Sequence, residues 1–303
     1  MECCNTYSVI IPQKNSIESL KRLIDSIPDN DNIEIIIADN SDIPVTREDI
    51  GIDRKYKLCW AAPNRYAGGA RNEGVKQANG KWLIFADADD YFTSNAFESF
   101  DKFQNSDADV IYFCADGIYP ETGERSDKAD CYTRLVHRYL ENPSEDTNIK
   151  VSFHVPWAKM VRASFVHDNG FKFDEVIANN DDYFAMLVGL NAKTIEASRD
   201  VVYIYTVARG SLTKRRCFNV IKARLEVILR KNQYLKRHGL SHKQGSIMYL
   251  YYLSAKNGLS SFIKATILII KYKQNPFIGC SRWLKTYTNK SRVDIQDKKY
   301  ITK

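Results

Sequence analysis

The sequence predicts an α/β fold, in which a mostly parallel sheet is flanked by helices and followed by a basic, mainly helical C-terminal region. Apolar, β-branched runs alternate with amphipathic segments through about residue 115, which is typical of βαβ units with parallel strands. Acidic residues directly follow two of these apolar runs. The charge of the chain changes sign near residue 213, which predicts a body at 1–213 and a basic region at 214–303.

The first elements are predicted from the length and spacing of apolar residues. Tyr7 to Ile11 is a short apolar run that Pro12 stops, so it reads as a buried strand. Residues 17–27 carry apolar side chains at helical spacing and end before a proline. Residues 33–38 and 57–61 predict the second and third strands.

Two motifs mark the next elements. The segment G-G-A-R-N at 68–72 opens a predicted helix that runs to residue 78. Residues 82–86 predict a strand that ends directly in D-A-D-D at 87–90. A helix at 97–103 and a strand at 110–114 complete the alternation of strands and helices.

The pattern is weaker beyond residue 115. Residues 116–150 are polar and turn-rich, with an exposed loop expected at 121–124. The remaining predictions are strands at 171–173 and 201–205 and helices at 182–190 and 221–234.

The net charge of +7 conceals an uneven distribution. Residues 214–303 contain 21 Lys and Arg against 3 acids, whereas the first 213 residues contain 23 Lys and Arg against 34 acids. Such a region indicates a polyanionic partner. The large apolar residues between its bases, such as Ile263 and Ile267, suit a helix that lies on an anionic membrane surface. The alternative is a set of ordinary amphipathic helices with a solvated basic face, and no nucleic acid partner is expected.

Several classes of protein are excluded by what the sequence lacks. No apolar run approaches the roughly 20 residues of a membrane span, and the run at 265–270 is six residues long even with Thr266 included. No signal peptide is visible, and the seven cysteines form no CxxC pair, which predicts reduced thiols in the cytoplasm. The P-loop, dinucleotide, serine-elbow and HExxH motifs do not occur.

The segment Asp87-Ala88-Asp89-Asp90 is the most informative feature for chemistry. Adjacent carboxylates repel one another, and a divalent cation relieves that repulsion. Mg²⁺ typically uses one or two carboxylates together with substrate phosphates. The alternative is a solvated turn, but ligands bind at the carboxyl ends of strands in such sheets, which favours the metal site.

Three other positions in the sequence each allow a functional and a structural interpretation. Asp39 follows its strand and could accept the ring N–H of a pyrimidine, or simply close a turn. Arg71 follows two glycines and could contact a nucleotide, or be a surface arginine. Asn180-Asp181-Asp182 precedes a helix, where acids cap the N-terminus or one of them serves as a general base.

Seven segments in the first two thirds of the chain form an ordered set. They are V-I-I-P-Q-K-N (9–15), I-I-A-D-N-S-D (36–42), G-G-A-R-N-E-G (68–74), G-K-W-L-I-F-A-D-A-D-D (80–90), W-A-K-M (157–160), N-D-D-Y-F (180–184) and R-G-S-L-T (209–213). In their order and spacing they resemble glycosyltransferase family 2, the inverting transferases of GT-A fold. The resemblance implies a GT-A-like, Rossmann-type domain at 1–213.

The resemblance also implies a nucleotide-sugar donor, most often a UDP-sugar, and a Mn²⁺ or Mg²⁺ ion held by Asp89 with Asp87. The residues that it assigns to the nucleotide sugar are Pro12, Asn15, Asp39, Arg71, Asp87, Ala88, Trp157, Lys159, Arg209 and Ser211, with Thr213 in the same loop as the last two.

For catalysis, the resemblance implies direct attack by an acceptor hydroxyl with inversion at the anomeric carbon. Asp181 matches the family's acidic pair and is the implied general base, with Asp182 as the alternative and Asn180 in place of the usual Glu. The implied acceptor is a glycan or a lipid-linked sugar at the cytoplasmic face of the membrane, in the synthesis of a surface polysaccharide, capsule or lipopolysaccharide.

Two other functions remain as alternatives. A sugar-nucleotide nucleotidyltransferase would need a Gly-rich phosphate loop after the first strand, and residues 12–15 contain no glycine. A non-catalytic protein that binds membranes or nucleic acid would carry the acidic segment as a vestigial site.

Overall fold

The computed structural model describes residues 5–207 and 217–279. They fall into two compact units. The first comprises residues 5–176 and 184–207, and the second comprises residues 177–183 and 217–279. The predicted boundary at residue 213 lies outside the described residues.

The first unit is built on one sheet, which has nine strands among the described residues. They are β1 (Tyr7–Gln13), β2 (Ile33–Asp39), β3 (Lys57–Trp60), β4 (Trp82–Phe85), β5 (Tyr91–Phe92), β6 (Val110–Ile118), β7 (Arg125–Ser126), β8 (Lys159–Arg162) and β9 (Ile195–Thr206). Their order is β3-β2-β1-β4-β8-β6-β9-β5, with β7 beside β6. Neighbouring strands from β3 to β4 are parallel, β8 is antiparallel to both of its neighbours, and β9 is parallel to β6.

Helices connect these strands, as the alternation of patterns predicted. They are α1 (Ile17–Asp25), α2 (Arg47–Ile50), α3 (Tyr66–Gln77), α4 (Ala96–Asp101), α5 (Asp130–Glu141), α6 (Asp146–Ser152), α7 (Ala163–Asn169) and α8 (Asp182–Asn191). The helical spacing in α1 buries Leu20, Leu23 and Ile24 against the sheet core. These observations confirm the α/β fold, with a parallel first half and a mixed second half.

Two predictions about local structure need correction. Residues 171–173 do not form a strand. Phe173 instead donates its backbone N–H to the Asn72 side chain and stacks on Phe184 with ring centroids 3.8 Å apart. The polar region 116–150 contains α5 and most of α6 as well as the exposed loop predicted at 121–124.

A buried carboxylate joins three segments of the sheet. Glu34 on β2 accepts hydrogen bonds from the Ser8 hydroxyl and from the backbone N–H groups of Asn79 and Gly80, and it forms a 2.6 Å ion pair with Lys57. Burial alone would raise the pKa of Glu34, but the bonds from Lys57, Ser8 and Asn79 outweigh it and lower the pKa. This network fixes the chain just before β4 and therefore the start of the strand that leads to the acidic segment.

The described part of the second unit is helical, as predicted for the C-terminal region. It contains α9 (Phe218–Arg237), α10 (Met248–Lys256) and α11 (Leu259–Lys271). These helices share a small core formed by Leu225, Leu229, Ile247, Ala265, Leu268 and Ile269. Among the described helices, none combines the length and the apolar content needed to span a membrane.

Candidate functional site

The parallel strands bring three predicted site segments to one edge of the sheet. Gln13 ends β1 and lies in register with Asp39, which ends β2. The acidic segment follows β4, which pairs in parallel with β1. Because parallel strands end at the same edge, these groups meet where α/β sheets usually bind ligands.

Arg71 holds one carboxylate of the acidic segment. Its Nη2 donates to Asp87 Oδ1 at 2.5 Å, and its guanidinium lies over the Phe173 ring at 5.4 Å. The Arg71 side chain is 5% exposed, whereas that of Asp87 is 31% exposed. Arg71 is therefore a buried cation, and the alternative of a surface arginine is wrong. A charge-assisted bond of this kind fixes the orientation of the Asp87 carboxylate.

Asp89 and Asp90 are neighbours in sequence but have opposite environments. Asp89 is exposed to solvent, yet desolvation by the surrounding protein, and then the nearby charge of Asp87, raise its pKa. Asp90 is fully buried and accepts hydrogen bonds from the Tyr203 hydroxyl at 2.8 Å and from the Thr206 backbone at 2.7 Å. Burial, and then the charges of Asp89 and Asp87, raise the pKa of Asp90 well above its usual range. Asp90 therefore ties the segment to β9 and leaves Asp87 and Asp89 accessible.

The accessible carboxylates of Asp87 and Asp89 are the candidate ligands for a metal ion. Within the described residues, no group of three or more His, Cys, Asp or Glu side chains is placed to hold a metal ion. Asp87 and Asp89 nevertheless repel one another, as the raised pKa of Asp89 reflects. Two carboxylates match the number that Mg²⁺ combines with phosphate oxygens. The residues thus fit an ion shared with a diphosphate.

Asp39 accepts more hydrogen bonds from the protein than its position after a strand predicts. It is buried, and its carboxylate accepts hydrogen bonds from Gln13 Nε2 at 2.8 Å, from the Ser41 N–H at 3.0 Å and from the Val45 N–H at 2.9 Å. These bonds organise the loop after β2. Gln13 also accepts a bond from the Ser16 N–H, so it links that loop to the start of α1.

The other residues assigned to the β1 end and to the acidic segment differ in exposure. Pro12 is buried within β1. Asn15 is exposed and adopts a left-handed backbone with φ of 53°. Ala88, between the two accessible carboxylates, is buried.

Trp157 and Lys159 have interior contacts. Trp157 is buried and stacks on the rings of Tyr203 and Tyr205, with centroids 5.1 and 5.8 Å away. Lys159 is buried, and its Nζ donates to the Phe153 carbonyl at 2.7 Å. Contact of these two side chains with a sugar stays a prediction. Tyr205 is half-buried, and its pKa is raised to about 12 by burial and by the charges of the acidic segment.

The predicted base residues lie in the segment 177–183 of the second unit. Asp182 begins α8, and its carboxylate accepts a hydrogen bond from Lys231 Nζ on α9. Arg230 lies over the ring of Tyr183 at 4.3 Å, which adds a second contact between α9 and this segment. Asp182 therefore has a cationic partner within its own unit. Arg209, Ser211 and Thr213 lie outside the described residues.

Several groups that hold the predicted site residues in place, in one unit or the other, were not indicated by the sequence. Asp90 was visible only as part of the acidic run. The other groups lie far from their partners in sequence, so no local pattern indicated them. They are Gln13, Tyr203, Thr206 and Lys231, together with Arg22, which donates to the Asp89 carbonyl.

A sheet with acidic groups at the carboxyl edge of its parallel strands is typical of α/β proteins that bind ligands there. The family model described as Glycosyl transferase family 2 matches residues 8–170, more than half of the chain. The chain therefore belongs to glycosyl transferase family 2. This confirms the family and the enzyme class predicted from the motifs, and it favours them over the nucleotidyltransferase and non-catalytic alternatives.

This chain matches only part of the length of its curated relatives. The poly(ribitol-phosphate) beta-N-acetylglucosaminyltransferase TarS of Staphylococcus aureus is 25% identical over 218 residues, which cover 67% of this chain and 36% of TarS. A poly(ribitol-phosphate) beta-glucosyltransferase of Bacillus spizizenii is 27% identical over 217 residues, which cover 67% of this chain and 32% of that protein. The chain thus matches about a third of each of these relatives.

Solved structures share the fold. The crystal structure of S. aureus TarS 1-349 with UDP-GlcNAc aligns with a TM-score of 0.61 and 21% identity, covering 86% of this chain and 79% of that one. The mannosyltransferase PcManGT from Pyrobaculum calidifontis, in complex with GDP-Man and Mn²⁺, aligns with a TM-score of 0.55 and 13% identity, covering 98% and 85%. These likenesses confirm the predicted GT-A-like fold.

Proposed function

We propose that this chain is a metal-dependent inverting glycosyltransferase. It transfers a sugar from a nucleotide sugar, with UDP-hexose or UDP-N-acetylhexosamine favoured, to a hydroxyl of a glycan or lipid-linked acceptor. The observation that carries this proposal is the accessible pair Asp87 and Asp89 at the carboxyl edge of the sheet, with Arg71 and the buried Asp90 holding their segment. The TarS structures with UDP-GlcNAc and UDP support a UDP-sugar, and the GDP-Man complex of PcManGT supports a nucleotide sugar more broadly.

The uridine would bind at the ends of β1 and β2. An ionised carboxylate offers about four acceptor positions, and three hydrogen bonds to Asp39 come from the protein itself. One acceptor position therefore remains for the ring N–H of uracil. Pro12 and Asn15 would line this end of the donor, and Gln13 keeps the Asp39 carboxylate oriented.

The diphosphate would lie against the acidic segment. Asp89 and Asp87 would hold Mn²⁺ or Mg²⁺, which when bound neutralises the charge that develops on the leaving nucleotide. Arg71 keeps the Asp87 carboxylate in place. Asp90 holds the acidic segment to β9 through its hydrogen bond from the Tyr203 hydroxyl. Ala88 lies between Asp87 and Asp89. Trp157 and Lys159 would face the sugar, and Arg209, Ser211 and Thr213 would contact the phosphates.

Asp181 would accept the proton of the attacking hydroxyl. Direct attack on the side opposite the leaving nucleotide inverts the anomeric configuration. Asp182 is the alternative base, and its carboxylate accepts a hydrogen bond from the Lys231 ammonium.

The acceptor would belong to the synthesis of a surface polysaccharide, capsule or lipopolysaccharide. The poly(ribitol-phosphate) transferases among the relatives support a polymeric acceptor. We further propose that the protein works in the cytoplasm and associates peripherally with an anionic membrane through residues 214–303.

Calorimetric titration of UDP with and without Mn²⁺ tests the donor site. We expect binding that requires the metal and is lost in Asp89→Asn, and transfer at least about a hundredfold slower, because charge stabilisation at the leaving group is lost. Asp53→Asn, which changes an exposed carboxylate of the same unit, is the matched control.

Two outcomes would contradict parts of this proposal. Full transfer and metal-dependent binding in Asp89→Asn would remove the metal assignment. Absence of UDP binding in the wild type would remove uridine, and titrations with GDP and dTDP would then test other nucleotides.

A further inference from the structure

One face of α11 is apolar and exposed to solvent. It carries four aliphatic side chains, which we call the aliphatic stripe: Leu259 (75% exposed), Ile263 (49%), Ile267 (58%) and Ile270 (68%). At 3.6 residues per turn, their directions fall within an arc of about 80°. The other side of the helix is buried in the second unit through Ala265, Leu268 and Ile269. The stripe is therefore separate from the face that stabilises the fold.

A surface helix normally presents polar side chains to water. In α11 the charged side chains are confined instead to one border of the stripe. Lys264 and Lys271 are both exposed, and they lie within about 60° of Ile267 on the helix. An apolar stripe bordered by lysines is the arrangement of a helix that rests in the headgroup layer of a bilayer.

The surrounding charge favours an anionic surface over other occupants. Residues 217–279 contain eleven Lys and Arg and a single acid, Glu226. A second copy of the chain would bring the same positive charge to the stripe. Residues 280–303 are also positive, with seven Lys and Arg against two acids. A soluble polyanion would need the lysines but would leave the aliphatic stripe without a partner.

We propose that the aliphatic stripe, with Lys264 and Lys271, docks this chain on an anionic phospholipid bilayer. The inference rests on the membrane association in the proposed function and assigns it to one surface. It requires neither the donor site nor the acidic segment, so the two can be tested separately.

Cosedimentation of the full chain with vesicles tests the proposal. One set of vesicles contains phosphatidylcholine alone, and the other contains equal parts of phosphatidylcholine and phosphatidylglycerol. The triple variant Ile263→Gln, Ile267→Gln and Ile270→Gln should bind the anionic vesicles at least about tenfold more weakly, because it no longer inserts apolar area. Its thermal unfolding should match that of the wild type, since the three side chains are exposed. Ile43→Gln, which changes an 82% exposed isoleucine in the first unit, is the matched control.

The lysine variants should change vesicle binding in a different way from the isoleucine variant. Lys264→Gln and Lys271→Gln should each weaken binding to the anionic vesicles by about fivefold, because each removes one charge near the lipid surface. Binding to phosphatidylcholine vesicles should change little. High salt should reduce the preference for anionic vesicles in the wild type but not the residual apolar binding.

Four results would overturn the proposal. Wild-type protein that binds neither kind of vesicle would remove the membrane association itself. Unchanged binding by the isoleucine variant would show that another surface contacts the lipid. Loss of binding in the lysine variants alone would show that the protein adsorbs to the lipid by charge and that the stripe does not insert. A wild-type dimer that the isoleucine variant dissociates, seen by sedimentation velocity, would identify a second copy as the occupant. UDP titration of the isoleucine variant should match the wild type, and this separates failure of the stripe from failure of the donor site.

Discussion

The ion pair between Lys231 and Asp182 connects α9 to the segment that holds the proposed base. We expect Lys231→Met to destabilise the second unit and to reduce turnover more than donor binding. The two side chains are only 14% and 13% exposed, so water replaces the lost ammonium poorly. A hydrogen bond to a charged group contributes about 1.5–3 kcal/mol, and we expect a loss near the middle of that range, about 2 kcal/mol.

Turnover should fall because Asp182 adjoins Asp181 in the chain. Without its anchor, the segment spends less time in the geometry that removes the acceptor proton, and a small misplacement of a reacting group can cost about a hundredfold in rate. We expect kcat to fall by at least about tenfold, with the KM for the donor nearly unchanged. Urea unfolding and steady-state kinetics measure the two effects. Lys222→Met, on the same helix but exposed, is the matched control.

A double variant provides the sharper test. Asp182→Asn combined with Lys231→Met removes both charges, and it should recover at least half of the stability lost in Lys231→Met, because no uncompensated carboxylate remains. Equal stability and kcat in Lys231→Met and wild type would refute the anchoring role. Loss of transfer in Asp182→Asn, with transfer retained in Asp181→Asn, would refute the choice of Asp181 as the base.

Three further predictions concern the first unit. Asp90→Ala should lower the free energy of unfolding by about 3 kcal/mol in denaturant titrations, because the buried Tyr203 hydroxyl and a backbone N–H lose their acceptor. The stability difference between wild type and Glu34→Gln should close as the pH falls. Because the pKa of Glu34 is lowered in the folded protein, its contribution is complete above the unfolded pKa of about 4.3 and is lost as the pH falls through the folded pKa; urea unfolding across this range checks it. Gly189→Ala should destabilise by about 2 kcal/mol in thermal or urea unfolding, although Ala normally favours a helix, because its Cβ would clash with the Lys150 carbonyl.

The elements that could be predicted are those with a strong local pattern. The apolar runs at β1, β2 and β4, and the helical spacing of α1, depend on burial of one short segment, so sequence alone indicates them. The error at residues 171–173 has a tertiary cause. Phe173 packs on Phe184 and bonds to Asn72, and neither partner is near it in sequence. The helix α5 was missed although Tyr132, Val136 and Leu140 recur at helical spacing, because the polar, turn-rich composition of 116–150 indicated loops.

The candidate site was predictable in residue type but not in electrostatics. The position of the acidic segment after β4 followed from the strand pattern. The burial of Asp90 beside an exposed Asp89 did not follow from that pattern. The hydrogen-bond donors to Asp90, Tyr203 and Thr206, are more than a hundred residues away in the sequence. Arg71 was likewise expected at a nucleotide, and its bond to Asp87 depends on the packing of α3 against the sheet.

The predicted division at residue 213 would place residues 177–183 in the body and α9 in the C-terminal region. The segment 177–183, with Asp181 and Asp182, belongs to the same compact unit as α9 to α11. Truncation within α9 would remove the core of that unit together with the anchor of the proposed base, so point variants of the aliphatic stripe are the proper test of membrane docking. If the stripe holds this unit on a bilayer, vesicles that carry a lipid-linked acceptor should raise turnover in the wild type. The isoleucine variant should lose that gain and keep its activity on a soluble acceptor.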